Sequence, residues 1–153
     1  MKTKIVRNII SLVIFILCTH QALASEWILY EKSATGDEYY DKSSIQKVNN
    51  HIHRVRIKKI YNDVGKYKKY AILKKMDKAP VNPYILSHEL ILVEVDCLHK
   101  RIKISSERIC DKRGTVLASK THSPDAWMDI VPNSKFEKIK VCTSLNHSKI
   151  KKK

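Results

Sequence analysis

The sequence predicts an α+β domain that is mostly β: about six antiparallel strands in one sheet, then a short C-terminal helix. Three observations predict it. Residues 52–61 and 88–97 alternate apolar and charged side chains with period two. Polar stretches of hairpin-turn length separate most of the apolar segments, which favours antiparallel neighbours. Only the last segment changes to a spacing of three, the helical signature.

Residues 1–24 stand apart from this domain. Lys2, Lys4 and Arg7 precede ten apolar or small residues, from Ile9 to Cys18, and Ala22-Leu23-Ala24 closes the segment. A positive start, a short apolar centre and an A-x-A end make a secretory signal, with cleavage expected between Ala24 and Ser25. The apolar run is about half of the roughly 20 residues a membrane-spanning helix needs. Cys18 follows Leu17 rather than a small residue, so it reads as part of the signal and not as a lipid-anchored cysteine.

The expected mature chain has 129 residues: one domain over 25–145 and a basic tail over 146–153. It holds 27 Lys and Arg against 15 Asp and Glu, a net charge of +12. Such a charge favours polyanionic partners. Export makes envelope or extracellular polyanions a better expectation than nucleic acid. The plainer alternative is that the lysines serve solubility.

Taken in order, Trp27-Ile28-Leu29-Tyr30 reads as a first strand and Glu38 to Asp41 as its hairpin partner across Ser33 to Asp37. Ser43, Ser44, Asn49 and Asn50 mark the next turn region. In 52–61, Val55, Ile57 and Tyr61 fall on one side, with Arg54, Arg56 and Lys58 on the other. Residues 65–88 break the pattern and read as a mobile connection or an edge element. In 88–97, Ile91, Val93, Val95 and Cys97 share one face; Leu90, Leu92, Glu94 and Asp96 share the other. Strands over 101–107 and 115–119 complete the sheet.

At the end, Ser134 and Glu137 have capping-box spacing, and Phe136, Ile139 and Cys142 fall three apart on one side of a helix that Leu145 extends. Cys97, Cys110 and Cys142 remain after export, enough for one disulfide and one spare thiol. If the helix packs on the apolar strand face, Cys97–Cys142 is the natural bridge, worth roughly 4 kcal/mol or less in the chain-entropy account. Cys97–Cys110 is the rival pairing.

One ordered set of residues spans nearly the whole mature chain: Trp27, Tyr39-Tyr40-Asp41, Ser44-Ile45 and Val55-Arg56, then Glu94-Val95-Asp96-Cys97 and Gly114 to Ser119. Trp127, Ile130 to Ser134 and Val141-Cys142 complete it. This set resembles the surface adhesin protein E family of bacterial envelope proteins. The resemblance implies a twisted antiparallel sheet with a C-terminal helix held to it by a disulfide. It also implies adhesion to host matrix glycoproteins and epithelial surfaces. Cys110 lies outside the pattern, and no binding residue is carried over.

The candidate binding residues come from the chain itself. Arg54, Arg56 and Lys58, with Lys59 nearby, form a basic stripe, and Lys66, Lys68 and Lys69 form a cluster interleaved with Tyr67 and Tyr70. Cations at strand spacing suit successive anionic groups on an extended polymer. Edge lysines also deter aggregation, which is the plainer account of any one of them. His51-x-His53 lacks a third ligand and reads as turn-proximal surface histidine. Asp96, Cys97 and His99 have the types of a thiol nucleophile with a base, but a disulfide at Cys97 would leave no thiolate. Trp27 and Trp127 read as core residues. With three glycines in all and no nucleophile turn, no enzyme, metal or cofactor is expected. The function expected is an exported adhesin-like protein of the periplasm, outer-membrane periphery or exterior that engages host matrix proteins or acidic glycans through a basic sheet face. The alternative is a periplasmic structural or accessory protein.

Overall fold

The computed structural model describes residues 25–139 and 141–144. The expected signal over 1–24, the tail over 146–153 and Leu145 lie outside the described residues. Within them, the chain forms β1 (Trp27–Ser33), β2 (Gly36–Lys47), β3 (Ile52–Tyr61), α1 (Asp63–Lys75), a 3₁₀ turn (Pro83–Ile85), β4 (His88–Asp96), β5 (Arg101–Cys110), β6 (Val116–Thr121), β7 (Trp127–Asp129) and α2 (Val141–Ser144). The strands form one antiparallel sheet in the order β1-β2-β3-β4-β5-β6, and β7 also pairs with β5. β6 takes the Ser106–Cys110 end of β5, and β7 takes the Arg101–Lys103 end.

Period-two alternation gives the sheet two unlike faces. The inner face carries both apolar clusters. Tyr40, Val55, Ile57, Val93, Val95 and Ile102 form the first, joined by Ile139 and Val141 from the C-terminal segment. Tyr61, Leu86 and Ile109 form the second with Leu73 of α1. Arg54, Arg56 and Lys58 lie on the opposite, outer face, as expected, and neither cluster includes a residue of it.

Residues 63–75 form a helix rather than a mobile connection or an edge element. The Asn62 side chain caps it by accepting from the Gly65 N–H, Asp63 sits in the first turn, and Lys74 and Lys75 sit in the last, all favourable to the helix dipole. Gly65 and Leu73 are its buried residues, so its sequence shows little apolar periodicity. Gly65 is required by contact: a Cβ there would stand 1.9 Å from the Thr35 carbonyl oxygen, where α1 meets the β1–β2 turn.

The C-terminal helix begins later than the spacing suggests, and among the described residues it covers Val141–Ser144. The N–H groups of Ser134, Glu137, Lys138 and Ile139 each donate to the carbonyl three residues back, so this stretch is a series of turns. No capping box closes: the Glu137 carboxylate accepts from the Asn133 N–H, and the Ser134 hydroxyl has no partner among the described residues. The apolar spacing still serves packing, because Ile139 lies in the first cluster and Phe136 and Cys142 pack against it. Cys97 and Cys142 form the disulfide, with Cα atoms 5.6 Å apart, and Cys110 is a buried free thiol. Lys135 adds a second tie, its ammonium 2.9 Å from Glu38 on β2.

Candidate functional site

The outer face is built around an irregularity in β2. Asp41 pairs with Arg56 and Gln46 with Arg54, so five steps along β2 match two along β3. Lys42 to Ile45 lie opposite the single residue Val55 and bulge out of the β2–β3 ladder. Ser44 bridges the gap: its hydroxyl donates to the Asp41 carbonyl at 2.7 Å and accepts from the Arg56 N–H at 3.0 Å. Ser43 donates to Asp41 Oδ1 through its N–H and its hydroxyl, and the Glu26 N–H donates to the same oxygen. The segment read as a turn is therefore a bulge inside one long strand, and it is the local feature the sequence pattern missed.

The bulge opens a cavity of about 300 Å³ lined by Ser43, Ser44, Gln46, Arg54, Arg56 and Leu92. Both arginines are held from behind by buried carboxylates. Arg56 Nη2 donates to Asp41 Oδ2; the Arg56 side chain is 49% exposed and the Asp41 side chain 0%. Arg54 donates to Glu94 Oε1 through Nε at 3.1 Å and Nη2 at 2.6 Å. Lys103 holds the other Glu94 oxygen at 2.9 Å. Burial works to raise the Asp41 and Glu94 carboxyls, but their hydrogen bonds and cationic neighbours outweigh it and hold both below the ordinary carboxylate range.

Lys58 completes the face, its ammonium 4.2 Å from the centroid of the Trp27 ring. At the other side of the sheet, Lys103 and Arg101 stand over Trp127 at 4.8 and 5.5 Å. Both tryptophans are half-buried and outside the apolar clusters. They are platforms for cations rather than the core residues expected, because outer-face strand positions give them nothing apolar to sink into.

The remaining candidates do not join this face. Lys59 has the opposite strand parity and pairs with buried Glu38 at 3.2 Å. Lys66 pairs with Asp63 and Lys69 with Glu89, each at 2.9 Å. Lys68 is exposed and has no ion pair among the described residues. Lys59, Lys68 and Lys69 instead line a second cavity of about 170 Å³ between α1 and the sheet. The basic residues thus divide into two groups on two sides of the molecule.

His53 is buried, not a surface residue, with Nδ1 3.7 Å from Cys97 Sγ, and burial lowers its pKa. Its inner-face position on β3 explains this. Among the described residues, no group of three His, Cys, Asp or Glu could hold a metal ion. Asp96 accepts from His99 at 2.8 Å and from Arg101 at 3.1 Å, while the Cys97 sulfur is taken up in the disulfide.

A family model described as Surface-adhesin protein E matches residues 27–142. No curated protein and no solved structure matches. The matched span runs from the tryptophan under Lys58 to the second cysteine of the disulfide, and so includes the whole sheet.

Proposed function

The chain belongs to the surface-adhesin protein E family, and from that premise we propose that it is an exported adhesin-like binding protein whose outer sheet face engages host matrix glycoproteins or acidic glycans. Membership implies binding rather than catalysis, and a place at or beyond the bacterial surface. No described helix is long and apolar enough to cross a membrane. Export through a signal cleaved between Ala24 and Ser25 is part of the same reading, and N-terminal sequencing of the mature protein tests it.

The observation that carries the proposal is the arrangement of Arg54, Arg56 and Lys58. Their carboxylate partners, where they have them, are buried, while the arginine side chains stay 41% and 49% exposed. Each guanidinium has five N–H donors, so neither is used up by its partner. Anionic groups approaching from solvent meet the cations and not the carboxylates behind them.

Retention on immobilised heparin tests this reading. The wild type should elute later than inert proteins of equal charge and should be released by salt. The variant Arg54→Ala/Arg56→Ala/Lys58→Ala should lose that retention. Elution of the wild type with the inert controls contradicts the reading.

A further inference from the structure

We propose that the bulge cavity is a seat for one carboxylated sugar residue, so that the outer face reads its ligand by a specific subsite as well as by general positive charge. This inference rests on the glycan-binding reading above and narrows the ligand class.

Size comes first. A cavity of about 300 Å³ is at the lower end of ligand pockets, which run from about 300 to 1,000 Å³. It takes a single sugar ring, and a longer glycan would have to leave it across the face. The lining suits that ring. Leu92 offers an apolar wall, the Gln46 amide offers donors and an acceptor, and the Ser43 and Ser44 hydroxyls, whose protons go to Asp41, offer acceptor lone pairs to sugar hydroxyls.

Donor accounting identifies the anion. Arg54 uses Nε and Nη2 on Glu94, leaving Nη1 without a partner among the described residues. Arg56 uses Nη2 on Asp41, leaving Nε and Nη1 without partners there. Alternate residues on one strand stand about 6.8 Å apart, so the two guanidiniums flank the cavity rather than crowd one point. Glu94 holds Arg54 through two donors and Asp41 anchors Arg56 through one, which lowers the ordering cost of ligand binding.

Charge selects the class. Arg54, Arg56 and Lys103 set against Asp41 and Glu94 leave one net positive charge at the site. That matches a monoanion better than a phosphate dianion. A sulfate ester is also a monoanion, but its oxygens fan out tetrahedrally, whereas a planar carboxylate lies along a guanidinium fork.

The test titrates methyl glucuronide, methyl glucoside and glucose 6-sulfate into the purified mature protein, followed through its backbone amide resonances. Methyl glucuronide should shift the amides of Ser43, Ser44, Gln46 and Arg56 saturably. The neutral glucoside should not, and the sulfate should bind more weakly. Arg54→Gln should weaken glucuronide by about tenfold or more, the scale of a charge-assisted hydrogen bond. That variant keeps the Asp41–Arg56 pair, and Glu94 keeps Lys103, so the fold should survive. Lys68→Ala, on the other side of the molecule, should leave glucuronide binding unchanged.

Equal shifts from glucoside and glucuronide overturn the proposal. So do equal binding of the sulfate, absence of shifts from every sugar, or an Arg54→Gln protein that binds as the wild type does. Loss of heparin retention in the wild type with the glucuronide seat intact would instead count against the broader face reading alone.

Discussion

Arg56 and Asp41 face each other across β3 and β2 at the edge of the bulge, one half in solvent and the other fully buried, joined through Nη2 and Oδ2. The pair links the fold to the proposed binding face, because the same carboxylate that holds the guanidinium also gathers the Ser43 and Glu26 donors that shape the bulge.

Asp41→Ala should therefore destabilise the protein as well as disturb the cavity. It leaves several donors and one guanidinium without their acceptor in a buried setting, a loss of roughly 2–4 kcal/mol. A urea titration should show a lower midpoint with unchanged slope. An unchanged midpoint would mean that the bulge holds its shape without the carboxylate.

The disulfide sets a second expectation. Cys97→Ser/Cys142→Ser should lower stability by up to about 4 kcal/mol, since the bridge closes a long loop. Non-reducing peptide mapping should recover Cys97 joined to Cys142 and Cys110 as a thiol. Burial pushes the Cys110 thiol up, so alkylation should need denaturant. Rapid alkylation of the native protein would contradict that placement.

Acid should unfold the protein through its paired carboxylates. Burial works to raise Asp96, but the hydrogen bonds from His99 and Arg101 outweigh it and bring its pKa to about 2. The folded pKa lies below the ordinary 3.8, so the unfolded chain takes up the proton first. The stabilisation is fully present above 3.8 and is lost as pH falls through about 2. Asp41, Glu94 and Glu38 are shifted in the same direction. Stability followed by urea midpoint should fall across this window, and Asp96→Asn should flatten the fall. A flat wild-type profile would contradict the pairing.

Gly65→Ala tests the contact between α1 and the first hairpin. The new Cβ would collide with the rigid Thr35 carbonyl, so the helix must shift. A loss of about 1–3 kcal/mol is expected despite the better helix propensity of Ala. A more stable variant would show that the corner has room to give.

Much of the sheet is legible in the sequence because alternation is a direct consequence of strand geometry. Val55 and Ile57 inward with Arg54 and Arg56 outward needs no tertiary information. The bridge between Cys97 and Cys142 follows from two apolar patterns that each place a cysteine toward the same core. Helix α1 is harder to read. Its largely solvent-facing surface leaves no apolar stripe, and Asn62, Asp63, Lys74 and Lys75 are its only strong signals. The cavity is harder still. Ser43 and Ser44 look like turn residues, and only the register between Asp41–Arg56 and Gln46–Arg54 shows that the strand continues past them. Ion pairing across strands, such as Glu94 with Arg54 and Lys103, depends on neighbours that no local pattern names.

The candidate basic residues fall into two groups on two sides of the molecule, and the two groups can be removed separately. Two variants remove the same three positive charges from different sides: Arg54→Ala/Arg56→Ala/Lys58→Ala on the outer face, and Lys66→Ala/Lys68→Ala/Lys69→Ala on α1. Binding of each to an immobilised host matrix glycoprotein should be compared with the wild type at one ionic strength. The outer-face variant should lose binding and the α1 variant should keep it. Equal loss in both would reduce the interaction to bulk charge, and unimpaired binding by the outer-face variant would show that Arg54, Arg56 and Lys58 do not form the binding face.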